Sequence, residues 1–458
     1  MRLSRMPEVQ VGYVFDANVV LGSFLLIMAM SLTGCSSESG QAENHRQEDS
    51  LLTLVQQQTF QYFWENAEPT SGLAPERTHM DGVYPENDKH IVTTGGSGFG
   101  LMAILVGIDR GFISREQGFE RFSKIAGYLK KADRFHGAWP HWMNGPTGQV
   151  QPFGKKDNGG DLVESAFLAQ GLITVREYFK GGKPEEQALA ARIDTLLNQI
   201  EWNWYTNGQD VLYWHWSPEY QWEMDFPVGG YNECLVMYVL AAGSPTHPIR
   251  PEAYHMGWAR NDSIRSDRVS YGLETVLDHY EHDDKAVGPL FWAHYSYLGL
   301  DPRHLKDRYA DYWRLNRNHA LIHYRHALAN PGKFKGYGPD CWGLTSGYSM
   351  GFYAAHQPEE DLGVISPTAA LSSFPYTPEE SLAFLKFLYA PERDSLIGKY
   401  GPYDGFNLTT GWYVPRYLAI DQGPIPVMIE NYRTGLLWRL FMGAPEVKRG
   451  LERLGFNR

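Results

Sequence analysis

Three acids fall in one short stretch, Asp157-Asn158-Gly159-Gly160-Asp161-Leu162-Val163-Glu164-Ser165. Asp161 and Glu164 stand three apart at the start of an apolar helical pattern, so they share a helix face. Asp157 precedes them in a Gly-rich loop. Carboxylates this close repel one another, and burial at a core edge raises the pKa of at least one. One protonated and one ionised carboxyl is the pair that cleaves a glycosidic bond: the first protonates the leaving oxygen and the second guides water. A plainer reading has Asp161 capping the helix and Glu164 answering its dipole.

Further acids stand in isolation. Glu233, in Gly229-Gly230-Tyr231-Asn232-Glu233-Cys234-Leu235-Val236, is the single acid of a markedly apolar helix start. Such an acid is paired, capping or functional, and desolvation suits it to donate a proton. Asp421, in Ile420-Asp421-Gln422-Gly423-Pro424, is presented from a loop fixed by Gly and Pro, as a base that aims a water would be; it also reads as a turn-forming Asp. Glu430 and Asn431 either bind sugar hydroxyls or pair internally. Trp139, Trp142, Trp216 and Trp342, with Trp214, Trp222 and Tyr231, supply flat rings of the kind that stack on sugar faces. Any one of them is as readily a core residue.

Other chemistries find less support. Gly95-Gly96-Ser97-Gly98-Phe99-Gly100 lacks the Lys and Ser/Thr of a phosphate loop and reads as a close-packed turn. His319 and His323 share a helix face with His326 nearby, but no Glu follows the first His, so no metal is expected. No cofactor is implied.

The elements that would hold these residues are mostly helical. Asp49 or Ser50 opens a pattern through Trp64. Ser114-Arg115-Glu116-Gln117 is a capping box. Further helical patterns cover 161–179, 184–205, 232–242, 302–329, 378–390, 424–442 and 445–454, while Val211-Leu212-Tyr213-Trp214-His215-Trp216 reads as hairpin strands. No linker interrupts the chain after residue 50. The rest divides into roughly six helical hairpins, which points to one all-α domain over 49–458, an (α/α)6 toroid with short β-hairpins in its loops. The alternative is a less regular all-α domain with a small β subdomain.

The chain has 458 residues and a net charge of −12. That charge, with no long basic run, excludes nucleic acid as partner and disfavours an anionic polysaccharide. A neutral glucan fits better. Of the three cysteines, Cys35 ends Leu32-Thr33-Gly34-Cys35 behind an apolar run from Val19. Residues 1–35 therefore read as a lipoprotein signal with Cys35 lipidated, and 36–48 as a flexible tether. The expectation is an exported lipoprotein, periplasmic or at the cell surface, monomeric and held to the membrane through its lipid alone. Cys234 and Cys341 are read as buried free thiols rather than a disulfide.

With these residues in view, the chain resembles the bacterial glucoamylase-like proteins, and among them the endo-β-1,2-glucanases of glycoside hydrolase family 144. The resemblance rests on the Asp157–Ser165 stretch, Gly230-Tyr231-Asn232-Glu233, the run from Phe291 to Arg303, Trp342-Gly343-Leu344-Thr345 and Met428-Ile429-Glu430-Asn431. It implies an (α/α)6 barrel, inversion, and β-1,2-glucan as substrate. The family's important acids fall on Asp157, Asp161, Glu164 and Glu233, and Asp421 matches a base position. Glu233 is then the acid, and Asp421, Asp161 or Asp157 the base. Exo-acting hydrolysis, a polysaccharide lyase using Tyr and His, and a non-catalytic glycan-binding lipoprotein are the rival readings.

Overall fold

Helices dominate because long apolar patterns with capped starts recur along the chain. The computed structural model describes residues 43, 45–280 and 287–457. The expected signal segment and its Cys35 lie outside the described residues. Residues 1–52 and 53–458 form separate units. Of the first, residues 43 and 45–52 are helical, so 45–48 are not the open tether expected. Ser50 does not cap a helix; its hydroxyl donates to the Arg46 carbonyl one turn back.

In the second unit, α1 is residues 53–64. Then come α2 (Thr94–Asp109), α3 (Arg115–Leu129), α4 (Leu162–Phe179), α5 (Pro184–Leu197), α6 (Leu235–Gly243) and α7 (Tyr312–Ala329). The chain closes with α8 (Pro367–Leu371), α9 (Pro378–Leu388), α10 (Ala419–Gln422), α11 (Pro424–Arg433), α12 (Leu436–Gly443) and α13 (Pro445–Arg453). The Ser114 capping box forms as expected, with Ser114 and Gln117 satisfying each other's backbone. The expected 424–442 helix is two helices, because Gly435 turns left-handed at φ 69° between them. The 302–329 pattern becomes helical only at Tyr312, where the Asp311 carboxylate caps the first turn. Among the described residues no helix is long and apolar enough to cross a membrane.

The core is built on α2 and α4, which pack along each other. Both are buried nearly all round, as befits central helices. The expected turn at Gly95–Gly100 is in fact the first half of α2. Its glycines are there for proximity rather than for turning. A Cβ on Gly98 would lie 2.2 Å from the Phe167 carbonyl, and one on Gly171 equally close to the Gly98 carbonyl. Only hydrogen at both positions lets the two backbones touch, and this brings the start of α2 against the start of α4.

Strands are short and antiparallel. The Val211–Trp216 run does not form a hairpin with itself. Leu212–Tyr213 pairs with Pro227–Val228, whereas His215–Trp216 pairs with Gly160–Asp161. That second ladder anchors the acidic stretch just before α4. Cys234 and Cys341 are buried free thiols.

Candidate active site

The starts of α2 and α4, the loop before α6 and the approach to α10 converge on a cavity of about 340 Å³. Glu164, Glu233, Glu76 and His141 reach its wall, with Trp142, Phe153, Trp214, Tyr295, Tyr348 and Tyr353 as its aromatic lining. Acids thus open onto a pocket whose remaining surface is largely apolar, the setting in which carboxyls hold their protons.

Asp161 sits beneath this wall, fully buried. Its Oδ1 accepts from the Glu164 amide at 2.8 Å, so the helix-capping reading holds. Its Oδ2 accepts from His141 Nδ1 at 2.8 Å and from Trp214 Nε1 at 2.9 Å. Asp157 lies 3.6 Å from the same His141 nitrogen and 3.2 Å from His215 Nε2. Burial opposes charge on His141, but Glu164, Asp157 and Asp161 outweigh it and hold its pKa well above the usual imidazole value. An imidazolium therefore sits against Asp161 and Asp157 with Glu164 nearby, and Phe153 stacks on it at 4.1 Å. His141, Asp157 and Asp161 bring one ligand atom each within 4.8 Å of one another. His141 Nδ1 and Asp161 in that set are already hydrogen-bonded to each other.

Glu164 Oε2 accepts from the Gly95 amide at 2.7 Å, at the start of α2. A Cβ on Gly95 would lie 2.5 Å from that oxygen, so glycine there is what admits the carboxylate. Burial raises the Glu164 pKa against the opposing pull of His141. Glu233 lacks such an ion partner. Burial pushes it up to about 7, and the charge of Asp161 adds to the shift. Its backbone carbonyl is held by the Ser296 hydroxyl. The field of Asp421, with those of Glu233 and Glu164, reaches the Tyr295 phenol, which lines the cavity among them.

Asp421 is buried just behind Leu418 and Ile420, which line the cavity. Asp404 lies beside it, and neither Asp421 carboxyl oxygen has a hydrogen-bond partner among the described residues. Burial raises the pKa of both acids, and the charge of Asp404 raises Asp421 further. Asp404 is fixed by the Tyr348 amide at 2.6 Å. Sequence reasoning passed over Asp404, in Tyr403-Asp404-Gly405, and Glu76, in Pro75-Glu76-Arg77. Neither lies in a periodic segment, and each is brought to the site by strand and loop contacts from far along the chain.

Several expected sugar-binding residues belong instead to the interior. Trp139 is buried, its Nε1 donating to the Leu129 carbonyl and its face covered by Arg134. Trp342 is buried, donating to the Glu380 carbonyl. Tyr231 donates to Asn316 at 3.1 Å. The Glu430 carboxylate receives both Arg110 donors, at 2.6 and 2.9 Å, and the Thr434 hydroxyl. Asn431 bridges the Leu298 carbonyl and the Trp438 amide. All five are core anchors, because their polar atoms are used up where a sugar has no access. Trp216 lies off the cavity, against His136 and Trp204. Of the expected platform, Trp142 lines the cavity and Trp214 joins it. His319 and His323 both donate to the Gly288 carbonyl, at 2.7 and 2.9 Å, which explains their shared helix face without a metal.

The Glycoamylase family model matches residues 225–445. The endo-β-1,2-glucanase of Chitinophaga pinensis, solved with sophorotriose and glucose, is 61% identical, with 90% of this chain and 99% of that one covered and a TM-score of 0.88. The exo-β-1,2-glucooligosaccharide sophorohydrolase of Parabacteroides distasonis is 44% identical over 424 residues, which are 89% of this chain; the chain spans 58% of that protein's length. An endo-β-1,2-glucanase variant of Talaromyces funiculosus, bound to β-1,2-glucan, shares the fold at 10% identity, with a TM-score of 0.60 and 90% and 93% of the two chains covered. With 61% identity across nearly the whole of the Chitinophaga enzyme, and the acids gathered at one cavity, the chain belongs to the bacterial glucoamylase-like family.

Proposed function

We propose that this protein hydrolyses β-1,2-linked glucan with inversion, in a cleft at the centre of an (α/α)6 ring of helix pairs. The observation that carries this reading is Glu233, a carboxyl opening onto the aromatic cavity and held protonated near neutral pH by burial. Its proton goes to the glycosidic oxygen. Asp161 is committed to His141, Trp214 and the Glu164 amide, so it positions rather than reacts. The base that guides the water is Asp421 or Asp157, and Asp421 serves only where it is ionised, against the burial and the Asp404 charge that raise it. Inverting enzymes separate acid and base by about 6.5–9.5 Å to admit a water, and a wider gap calls for relay through a substrate hydroxyl. Glu164 steadies His141 or a sugar hydroxyl. No metal or organic cofactor takes part, and the protein works as a monomer.

Activity must track the Glu233 proton. We expect kcat/KM to fall as pH rises through about 7, approaching tenfold per unit above it. A profile flat to pH 9 would remove Glu233 as the acid.

Incubation with linear β-1,2-glucan, and separately with β-1,3-, β-1,4- and α-1,4-glucans, tests the substrate. Cleavage of α-1,4-glucan alone overturns the reading. The Chitinophaga relative favours endo attack and the Parabacteroides relative exo attack, so product lengths separate the two: mixed oligosaccharides from the first, disaccharide alone from the second. We further propose export with lipidation at Cys35, which palmitate labelling of the parent and of Cys35→Ala checks.

A further inference from the structure

A second cavity, of about 350 Å³, lies outside the catalytic one and shares none of its lining residues. It sits on the other side of the ladder that anchors the acidic stretch. Successive strand residues point to opposite faces. In His215–Trp216, His215 turns to Asp157, while Trp216 turns to His136 and Trp204. Beyond those rings the groove opens, walled by Trp204 and Trp222 and rimmed by Asn203, Thr206, Asn207 and Glu201.

Its rings are displayed rather than buried. Trp204 is 40% exposed, unusual for a side chain this large. It is also immobilised, since His136 lies flat against one face at 3.7 Å and 13°. Glu201 in turn accepts from the His136 ring nitrogen at 3.0 Å. Trp222 stands 6.4 Å away, inclined by 33°, so the two rings form an angled wall. Asn207 ends the short helix Trp204–Thr206 in a left-handed conformation, φ 48°, and both it and Asn203 are exposed. Their side-chain amides enter none of the hydrogen bonds formed among the described residues. A fixed aromatic wall with unengaged amides beside it is built for a ligand with apolar faces and hydroxyl edges. No Lys or Arg lines the groove; Glu201 and His247 do, and the carboxylate disfavours an anionic ligand.

We propose that this groove is a second carbohydrate site, which holds neutral glucosyl units of a β-1,2-glucan chain away from the catalytic cavity. The inference rests on the substrate proposed above. Its effect is to tether long chains, raising their local concentration at the cleft. A chain too short to reach both places gains nothing.

The test compares Trp204→Ala, Trp204→Phe, Asn207→Ala and Asn207→Gly with the parent, on linear β-1,2-glucan polymer and on its trisaccharide. Trp204→Ala should raise KM for the polymer by about three- to tenfold, with kcat and all trisaccharide kinetics unchanged. Trp204→Phe should restore part of the difference. Asn207→Ala removes the exposed amide but strains a left-handed position, and should show a smaller rise than Trp204→Ala; Asn207→Gly, which removes it without that strain, should show the same smaller rise. In a Glu233→Gln background, the same substitutions should weaken retardation in gels cast with the polymer. If the parent cleaves β-1,2-glucan and both Trp204→Ala and Asn207→Gly keep the parental polymer KM, the second site does not exist and the substrate reading stands. If the parent cleaves no β-1,2-glucan, both readings fall together.

Discussion

Glu233→Gln lowers kcat on β-1,2-glucan by about 10²–10⁴-fold while the protein still binds the polymer. The amide has the shape of the protonated carboxyl but no proton of comparable acidity to give. Because the parent group is held near pH 7 by burial, the substitution removes a group that is half neutral already and creates no buried charge. Stability follows by linkage. The pKa of Glu233 is raised from its ordinary 4.5 to about 7. Its contribution to the fold is therefore full below pH 4.5 and is lost as pH rises through 7. Above that, the parent carries a buried anion costing on the order of 3 kcal/mol, and the Gln variant does not. Thermal unfolding of the two proteins at pH 5 and pH 8 checks this: the variant's advantage should appear only at the higher pH. Parental turnover in the variant would end the assignment, and would favour neither a lyase nor a hydrolase built on this residue.

Asp161→Asn is expected to cost about 3–5 kcal/mol and most of the activity, although the residue touches no substrate. Three donors converge on its carboxylate: the Glu164 amide, His141 Nδ1 and Trp214 Nε1. An amide keeps one oxygen, enough for the helix cap, and turns an NH₂ toward two donors that cannot accept from it. His141 then loses an anion that holds its charge in a buried place, and Trp214 loses its tie to the cavity wall. A structural role alone would lower stability and leave the pH profile in place. A positioning role also moves the alkaline limb, since Asp161 adds to the upward shift of Glu233. With one anion gone, the Glu233 pKa falls and the limb shifts to lower pH. Unfolding by urea and the pH dependence of kcat/KM are the two readouts. An unchanged limb in a destabilised protein would reduce Asp161 to a helix cap.

Both results depend on the same geometry. The acid must be buried enough to keep its proton, and the anions below it must stay paired to a cation. The packing of α2 on α4 secures this, because the start of α2 supplies the Gly95 amide to Glu164 and the start of α4 carries Asp161 and Glu164.

Local chemistry made part of this legible in the residues alone. Periodic apolar positions and capping residues mark helices wherever they fall, so α3, α4, α5, α6, α9 and α13 could be read along the chain. The spacing of Asp161 and Glu164 placed both on one helix face, and the isolation of Glu233 in apolar sequence foretold its raised pKa. These are short-range effects, decided within a turn or two. What required the tertiary structure was every question of who meets whom. Gly95–Gly100 reads as a turn locally and becomes helix because α4 approaches close enough to exclude any side chain. Glu430 looks like a ligand-binding residue and is core, because Arg110 arrives from far along the chain, and Trp139 is core because the preceding turn folds Arg134 and Leu129 back onto its ring. Asp404 finds Asp421, and Glu76 finds the cleft, only through contacts between distant segments. The residues set which groups can hold a proton or stack on a ring; burial and partnership, which exist only once the chain is packed, decided which of them do.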